Sequence, residues 1–463
     1  MNKALVTAWM VSFISTFGAD IAVSNSAALI TLLGTTARPG DSLVLSQGIY
    51  SGVFNANVSG TPTNPITVRP APGARVTLTG LSTVLSVRAS HVWFYGLEIV
   101  SAGRDRSSTN ADTSWPTDIT ISNGVEAHSG DGIKFINCVV HDTRQDFGLW
   151  KDCRTEVYGC IIYHSGWWAV RRGHGHGTYT QNELPRKLYR HNVWFGGFSM
   201  GVQAYGSSAA PLKNFHFIEN VFVDGGWLQD RAEKNLLLGG TQSVWDSRVS
   251  SNHMYYRAGS TGCNLNIGFW PYGGPYTNIE VSGNRIIGGR LSFSGNGKPE
   301  FFNNWIADAY LVNTPPGVVS NPRPTVGLET FLIPNEYDSS RAMLVVYNWS
   351  KADEVVVGVG DYRNYEIRDA MNYFAPPVAR GDTAFVRIRM AGLPAAQPMG
   401  DDIPFVYAHS APEFGVFIVQ SAGGVKPSRP RLNLLERSQL NREAAGLDTK
   451  GLLLSSDAGI AQR

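Results

Sequence analysis

Three observations predict that this chain is all-β and folds as a right-handed parallel β-helix followed by a small C-terminal β-sandwich. A short unit repeats along the chain. Charged residues make up only 16% of the 463 residues, whereas 50 are glycine and 11% are aromatic. Apolar runs are short and bounded by Gly, Asn and Ser, which is typical of strands and turns. This composition fits an exported all-β protein better than a helical cytosolic one.

The repeating unit is an Asn, one further residue and two or three apolar residues. Its spacing is about 20 to 33 residues, as in solenoid repeats. One unit cannot bury its own apolar face, so the units must stack as coils with parallel strands. The Asn is expected at the turn, where it tolerates left-handed backbone and can bond to its counterpart in the next coil. The copies are INCVVHD from Ile136, YGCIIYH from Tyr158, RHNVWFG from Arg190, IENVFVD from Ile218, SSNHMYY from Ser250, SGNRIIG from Ser282 and FNNWIAD from Phe302.

The β-helix is predicted over residues 20–321. Short strands precede the repeats, in DSLVLSQGIY from Asp41, NPITVRPAPGARVTLTG from Asn64 and HVWFYGLEIV from His91. The pattern changes near Pro322, after which strands recur about every 10–20 residues, as in a small sandwich. The β-sandwich is therefore predicted over residues 322–423. Residues 424–463 are polar and charged, and this tail is expected to be disordered.

Residues 1–19 have the pattern of a signal peptide. Lys3 supplies the positive charge, an apolar run extends from Ala4 to Phe17, and small residues follow. The run is too short to span a bilayer comfortably, and a buried N-terminal helix is the alternative. We expect a secreted or periplasmic protein that has no membrane association after cleavage of the signal.

Charge and cysteine content limit the partners. A net charge of +2 favours neither nucleic acid nor an anionic membrane, so an acidic polymer would need a local basic groove. A monomer is expected. Cys138 and Cys160 lie in similar strings, which suggests stacked positions in neighbouring coils. Two buried thiols are favoured there over a disulfide, which an oxidising compartment would allow.

The stretch from Asp131 to Gly206 carries the strings DGIKFINCVVHD, FGLW, RGHGHGTYTQN and GVQAYG, and the C-terminal part carries YEIRDAMNYF and APEFGVFIV. In these strings the chain resembles the right-handed β-helix superfamily of carbohydrate-active proteins, which includes pectate-lyase-like and chondroitinase-B-like lyases. The resemblance implies a secreted protein with a polysaccharide as substrate or ligand. The sequence lacks the tight aspartate pair of polygalacturonase-like hydrolases and a calcium-ligand set like that of pectate lyases.

Three strings align at a glycine, and this alignment locates the candidate site. They begin at Gly148, Gly177 and Gly201. Because strand side chains alternate in direction, the residue after each glycine should face inward and the next should face outward. Stacked strands lie roughly 4.8 Å apart, so two outward rows make a patch one or two sugars wide. The predicted rows are Trp150, Tyr179 and Gln203, and then Asp152, Gln181 and Tyr205.

The stretch RRGHGHG from Arg171 enters this patch. On a strand, His174 and His176 would face the same way, and the glycine between them would admit a ligand. Acid–base work or substrate binding, a purely structural role in the loop and metal ligation all remain open for the two histidines. The surrounding cations are either site residues or an ordinary solvated rim.

Two reactions fit these residues, and binding without cleavage is a third function. β-Elimination from a uronic acid needs a cation to neutralise the carboxylate, a base for the C5 proton and an acid for the leaving oxygen. His176 or Lys151 would be the base, Tyr179 the acid and Arg171 the cation. Hydrolysis needs two carboxyl groups about 5–5.5 or 6.5–9.5 Å apart, for which Asp146 and Asp152 are candidates, although turn-capping is the alternative role for each. A non-catalytic module for a xylan-type polymer would use exposed aromatic residues instead.

The leading hypothesis is a polysaccharide lyase, followed by a glycoside hydrolase and then a binding module. No cofactor is predicted with certainty, and Ca²⁺ is kept as an open alternative. The candidate catalytic residues are His174, His176, Tyr179, Lys151, Arg171, Asp146 and Asp152. The candidate substrate-binding residues are Trp150, Gln181, Gln203, Tyr205, Arg172, Lys234 and Trp270.

Overall fold

A computed structural model describes residues 18–110, 113–206, 210–229, 233–269, 275–400, 403 and 406–421 of the chain. The predicted signal peptide lies almost entirely outside the described residues, as do the predicted tail and Trp270. None of the helices in the described ranges has the length and apolarity needed to cross a membrane.

Parallel strands stack in three columns, which we call sheets A, B and C, and each coil passes through them in that order. Two long strands, Val125–Ile136 and Phe147–Tyr158, cross from sheet A into sheet B and join the two into one sheet. Sheet A also contains Phe54–Ala56, Leu85–Val87, Thr178–Thr180, Val202–Gly206, Lys234–Gly240, Cys263–Ile267, Arg290–Phe293 and Tyr310–Val312. Sheet B also contains Asp20–Val23, Ser42–Leu45, Ile66–Pro70, Val92–Tyr95, Lys187–Arg190, Leu212–Lys213, Phe215–Ile218, Val244–Ser250, Tyr276–Ser282 and Glu300–Phe302. Sheet C contains Gly48–Ser51, Val76–Gly80, Glu98–Ser101, Val139–His141, Ile161–Tyr163, Val193–Phe195, Val221–Val223, His253–Tyr255, Arg285–Ile287 and Trp305–Ala307.

Short helical segments and a small extra sheet complete the parallel part. The α-helix Ser26–Thr31 is capped by the Asn25 side chain, continues as a π-helical turn over Leu32–Thr36, and buries Leu29 and Leu33. Two 3-10 turns span Trp227–Gln229 and Ala370–Asn372. Ser107–Ser108 pairs with Trp168–Ala169 outside the coils.

Antiparallel pairing begins after the last parallel strands. A five-stranded sheet contains, in spatial order, Leu328–Pro334, Arg341–Asn348, Phe414–Ser421, Tyr365–Asp369 and Ala379–Gly381. Glu354–Gly358 and Phe385–Arg389 form a second sheet against it. One face of the five-stranded sheet packs on this pair, and the other packs on sheet C of the coils. The predicted fold class, a parallel β-helix followed by a β-sandwich, is confirmed.

A ladder of asparagine side chains runs through the turns between sheets B and C. Asn192, Asn220, Asn252, Asn284 and Asn304 are linked in series, because each Nδ2 donates to the Oδ1 of the next at 2.8–3.0 Å. The predicted bond between counterparts is therefore confirmed.

The left-handed backbone lies one residue earlier than predicted in most of these turns. His191, Glu219, Ser251 and Asn303 have positive φ, immediately before a ladder asparagine. The asparagine itself is the last residue before the sheet C strand, and from this position its amide reaches the next coil. Cys138 and Cys160 occupy the corresponding turn position in earlier coils, and both are free and buried.

A chain of alternating charges, buried except at its outer member Arg75, lies near the boundary between sheet C and the sandwich. Arg75 and His141 both donate to Glu98, at 2.7 and 3.1 Å, and His141 also donates to Asp142 at 2.8 Å. Arg106, whose side chain is fully buried, donates to Asp142 at 2.7 Å. Burial lowers the pKa of His141, but these two carboxylates more than offset burial and raise it to about 9.

We expect Asn252→Ala to lower the free energy of unfolding by about 3 kcal/mol, because buried partners in both neighbouring coils lose a hydrogen bond. The Asn252 side chain takes part in bonds to Asn220, Asn284 and the carbonyl oxygen of Phe217. Urea unfolding measures the change. Asn55→Ala, at an exposed outward position of sheet A, is the control and should change little. Equal effects of the two variants would contradict the role of the ladder.

We expect the stability of the protein to fall as pH rises from 6.5 to about 9. The pKa of His141 is higher in the folded chain (about 9) than its ordinary value of 6.5, so its contribution is complete below pH 6.5 and disappears through pH 9. Urea midpoints measured across this range should show the decline. His141→Gln should be less stable at pH 6.5 and should lose this slope. An unchanged slope in the variant would show that another group causes it.

Candidate functional site

An open cleft lies on the outer surface of sheet A. Its volume is about 560 Å³. Outward side chains of sheet A form its floor, and segments around Trp115, Arg144 and Trp167 form one wall. The described residues that line it are Ser114, Trp115, Asn123, Glu126, Arg144, Gln145, Trp150, Trp167, Arg172, His174, Gly175, His176, Tyr179, Met200, Gln203 and Tyr205.

The strand register under the cleft differs from the predicted one in a single strand. Tyr179 pairs with Gln203, as predicted, but its partner in the preceding coil is Gly148 and not Trp150. The alignment of Gly148 with Gly177 was therefore wrong by two residues. A shift of two keeps every side chain on its face, so Trp150 still faces the cleft while Leu149 is buried. Gly148 lies opposite Tyr179 because the space above it is occupied. A Cβ there would lie 2.8 Å from side-chain atoms of both Glu126 and Gln145.

Glu126 is the main residue that the sequence analysis missed. It follows Gly148 in the outward row, on the strand Val125–Ile136. Trp150 Nε1 donates to its Oε2 at 2.7 Å and Asn123 Nδ2 donates to its Oε1 at 2.9 Å. Burial raises the pKa of Glu126, and hydrogen bonds from Trp150 only partly oppose this. A carboxyl group whose proton is held to higher pH can act as an acid.

Tyr179 continues the outward row that contains Glu126 and Gly148, and His176 lies beside it. Their ring centroids are 6.1 Å apart, and Trp150 lies 5.8 Å from Tyr179 on the other side. Gln181 Nε2 donates to the Tyr179 hydroxyl at 3.3 Å, and burial raises the pKa of Tyr179. Tyr179 is therefore a neutral phenol with a proton to donate.

His176 is a neutral imidazole. Burial, followed by the nearby cations of Arg172 and Lys234, lowers its pKa to about 3. Its Nδ1 is buried and has no hydrogen-bond partner among the described residues. The residue as a whole is only half-buried and lines the cleft, so a bound molecule can reach it. The arrangement leaves Nδ1 of this imidazole without a partner among the described residues, at a buried position beside the cleft.

His174 does not share the environment of His176. The segment from Arg171 to Gly177 is a loop and not the predicted strand, because Gly175 has a positive φ and His174 forms only an isolated bridge with Trp167. The His174 ring stacks on Trp167 at 5.0 Å and is 2% exposed. His174 therefore supports the wall, whereas His176 borders the floor. Among the described residues, no group of three or more His, Cys, Asp or Glu side chains could hold a metal ion.

Arg144 was also missed, and it forms the wall together with two tryptophans. Its guanidinium lies 3.8 Å from the ring centroid of Trp115 and 5.7 Å from that of Trp167. Its Nη2 donates to the carbonyl oxygen of Ser114 at 2.7 Å. Trp115 is 70% exposed, so the outer end of this stack faces solvent. Stacked between rings, the cation keeps a fixed position beside the floor.

The predicted pair Asp146 and Asp152 is not brought together. Asp146 is fully buried and accepts a hydrogen bond from Thr143, whereas Asp152 is exposed and pairs with Lys151. Six residues of extended chain separate them, which corresponds to roughly 20 Å. Asp146 is not among the described residues that line the cleft, so the pair cannot serve hydrolysis there.

Of the other predicted residues, the lysines and Arg171 lie at or beyond the rim, whereas the remaining ones lie in or next to the cleft. Lys151 pairs with Glu183 at 3.3 Å and with Asp152 at 3.5 Å, and Lys234 pairs with Glu233 at 3.3 Å. Arg171 is exposed and is not among the lining residues, whereas Arg172 is. Gln181 lies next to the floor as the partner of Tyr179. Trp150, Gln203 and Tyr205 line the cleft as predicted, although their role in binding stays a prediction.

Comparisons with known proteins give only distant likenesses. No protein-family model matches the chain, and no curated protein matches its sequence. An alginate lyase from Paenibacillus sp. str. FPU-7 has a TM-score of 0.39 and 16% identity over 64% of this chain and 97% of the lyase. Pectate lyase Pel9A has a TM-score of 0.33 and 14% identity over 60% of this chain and 73% of the other. The native GH136 lacto-N-biosidase from Eubacterium ramulus has a TM-score of 0.36 and 11% identity over 66% of each chain. Similarity at this level carries no argument about activity, which has to come from the cleft.

We expect the Glu126 carboxyl to titrate above its ordinary pKa of 4.5, because burial raises its pKa. Its bond to the Trp150 indole should make the titration visible in tryptophan fluorescence. The difference between the wild type and Glu126→Gln should therefore show a midpoint above pH 4.5. In a Trp150→Phe background this difference should vanish. A midpoint at or below 4.5 would contradict the assigned environment.

Proposed function

We propose that the chain is an exported polysaccharide lyase that cleaves a uronic-acid-containing glycan by β-elimination in this cleft. One observation carries the proposal. The cleft brings together an imidazole nitrogen without a partner, a neutral phenol and cations, on His176, Tyr179, Arg144 and Arg172. These are the groups that elimination needs.

The proposed reaction begins with recognition of the uronate carboxylate by Arg144 and Arg172. Neutralising this carboxylate makes the proton on the neighbouring C5 more acidic. His176 takes that proton, the C5–H electrons form the C4–C5 double bond, and the C4–O bond breaks. Tyr179 donates its proton to the leaving oxygen, with Glu126 as the other acid in reach of the same row. The carboxylate also raises the pKa of His176 from its low value, which makes the imidazole a stronger base.

Hydrolysis is less well supported by these side chains. Both stereochemical outcomes of glycoside hydrolysis use two carboxyl groups on opposite sides of the scissile bond. Glu126 is the single carboxylate among the described lining residues. Aromatic groups such as Trp115 and Trp150 would contact sugar rings in an enzyme and in a binding module alike. The Nδ1 of His176, unpartnered among the described residues, favours the enzyme.

We expect the wild-type protein to release products with the ultraviolet absorbance of unsaturated uronates from one or more members of a panel of uronic-acid glycans. Tyr179→Phe should reduce this rate by about a hundredfold or more, because the proton donor for the leaving oxygen is lost. Tyr310→Phe, at a 69% exposed position outside the cleft, is the matched control and should keep full activity. His176→Ala should be at least as impaired as Tyr179→Phe.

The outcomes separate the candidate functions. New reducing ends without the unsaturated product would show a hydrolase, and Glu126→Gln would then be the informative variant. Retarded migration in glycan gels without either product would show a binding module. Full activity of His176→Ala would remove the proposed base.

A further inference from the structure

A lysine is buried directly beneath the cleft floor. Lys187 begins the strand Lys187–Arg190 in sheet B, and its side chain points into the coil and is 0% exposed. Its Nζ donates to the carbonyl oxygens of Leu149 at 3.1 Å, Trp150 at 2.7 Å and Gln181 at 2.6 Å. The Sγ of Cys153 lies 3.5 Å away.

Burial lowers the pKa of Lys187, but the three carbonyl contacts match the donors of an ammonium. A neutral amine has two N–H donors, and only the protonated form has the three that these acceptors require. No salt bridge to Lys187 is present among the described residues, and the nearest carboxylate that influences it, on Asp152, acts only from a distance. Among the described residues, three carbonyl dipoles and the Cys153 sulfur hold this buried cation, which is unusual because burying a charge without a carboxylate has a high cost in free energy.

The three carbonyls belong to the two strands that form the cleft floor. Leu149 and Trp150 lie at a bulge in the strand Phe147–Tyr158. Leu149 and Asp152 pair with residues of the neighbouring strand that are two apart, although they are themselves three apart. Such a bulge leaves backbone groups without ladder partners. The Trp150 carbonyl finds its partner in the ammonium. The Gln181 carbonyl belongs to the next coil, so one cation joins both strands.

The side chains above these carbonyls are those of the cleft. Trp150 donates to Glu126 at 2.7 Å, and Gln181 donates to Tyr179 at 3.3 Å. Lys187 thus contacts the backbone of one residue in each hydrogen-bonded pair, Trp150 with Glu126 and Gln181 with Tyr179. The backbone N–H of Gln181 also donates to the Leu149 carbonyl oxygen at 3.0 Å, so the ammonium adds to a backbone contact between the same two coils.

We propose that Lys187 is a positioning residue for the cleft: its ammonium holds the backbone of Trp150 and Gln181 at a fixed separation and thereby keeps Glu126 and Tyr179 in one arrangement. The structural part of this proposal stands on the contacts alone. Its consequence for turnover rests on the proposed function.

Amide hydrogen exchange of the full chain tests the structural part without any ligand. Lys187→Met shortens the side chain by only one atom but removes all donors. We expect about tenfold or faster exchange in residues 147–153 and 178–184, with unchanged exchange in residues 249–269. Lys213→Met, at a partly exposed position where the ammonium lies 5.2 Å from the Trp245 ring, is the matched control. Equal exchange in the two variants at residues 147–153 and 178–184 would overturn the proposal.

A small cation provides a second, independent measurement. Lys187→Ala opens the space between the three carbonyls, and ammonium or methylammonium chloride should restore slow exchange there. Tetramethylammonium chloride at the same ionic strength, which has no N–H donor, should not. Equal rescue by both salts would overturn the proposal. If Lys187→Met does not fold, Lys187→Gln replaces it, and wild-type exchange in that variant would likewise count against the ammonium.

Turnover is measured separately on whichever uronic-acid glycan the wild type cleaves. Lys187→Met should lower kcat by about a hundredfold, because catalytic groups displaced by even about 1 Å lose much of their effect. Ammonium should recover part of kcat in Lys187→Ala. If the wild type cleaves no glycan, the proposed function fails while the exchange results still decide the role of Lys187.

Discussion

The structure depends on one constraint, the exact stacking of coils that cannot bury their apolar faces alone. The asparagine ladder from Asn192 to Asn304 enforces that stacking, since each amide can bond to the next coil only in a single register. A residue with left-handed backbone turns the chain just before most of the ladder positions. Inside the coils, aromatic rings stack from one turn to the next, as Tyr189 does on Phe217 at 4.7 Å. Sheet A inherits this register, and so does every outward side chain of the cleft.

The sandwich also helps to fix the wall of the cleft. Arg106 donates to Asp142, to the carbonyl oxygen of Gly166 at 2.9 Å and to that of Met399, which belongs to the sandwich, at 3.1 Å. Its own carbonyl oxygen accepts from Trp168, the neighbour of the wall residue Trp167. Breaking such a buried pair by removing one partner is strongly destabilising, because the other charge stays buried. The position of the wall is thus tied to the packing of the sandwich on sheet C.

Sequence periodicity was sufficient for the fold and for the faces of the strands, but not for the site. Repeated Asn-led units predict coils because any other arrangement leaves apolar faces exposed, and alternation correctly placed Trp150 and Tyr179 outward. The predicted partner of Gly148 was wrong because the space above Gly148 is filled by the Glu126 side chain. An alignment at glycines takes no account of that neighbouring side chain. Glu126, Arg144 and Lys187 carry no local signal, since each acquires its role from a neighbouring coil. Asp146 and Asp152 are close in sequence, yet Asp146 is buried and Asp152 is exposed to solvent.

The charges around the cleft favour an anionic ligand. His176 has a strongly lowered pKa partly because Arg172 and Lys234 repel its protonated form, and the ammonium of Lys187 lies below the same floor without a carboxylate in contact. Arg144 is partly desolvated between two rings, and burial lowers its pKa although Glu126 is near. Each of these features is unfavourable for the unliganded protein. A carboxylate entering the cleft would relieve them together, because it attracts every one of these cations and stabilises the protonated imidazole. A neutral sugar would gain the aromatic contacts but not this relief, so the electrostatics of the cleft, more than its shape, favour a uronic-acid polymer.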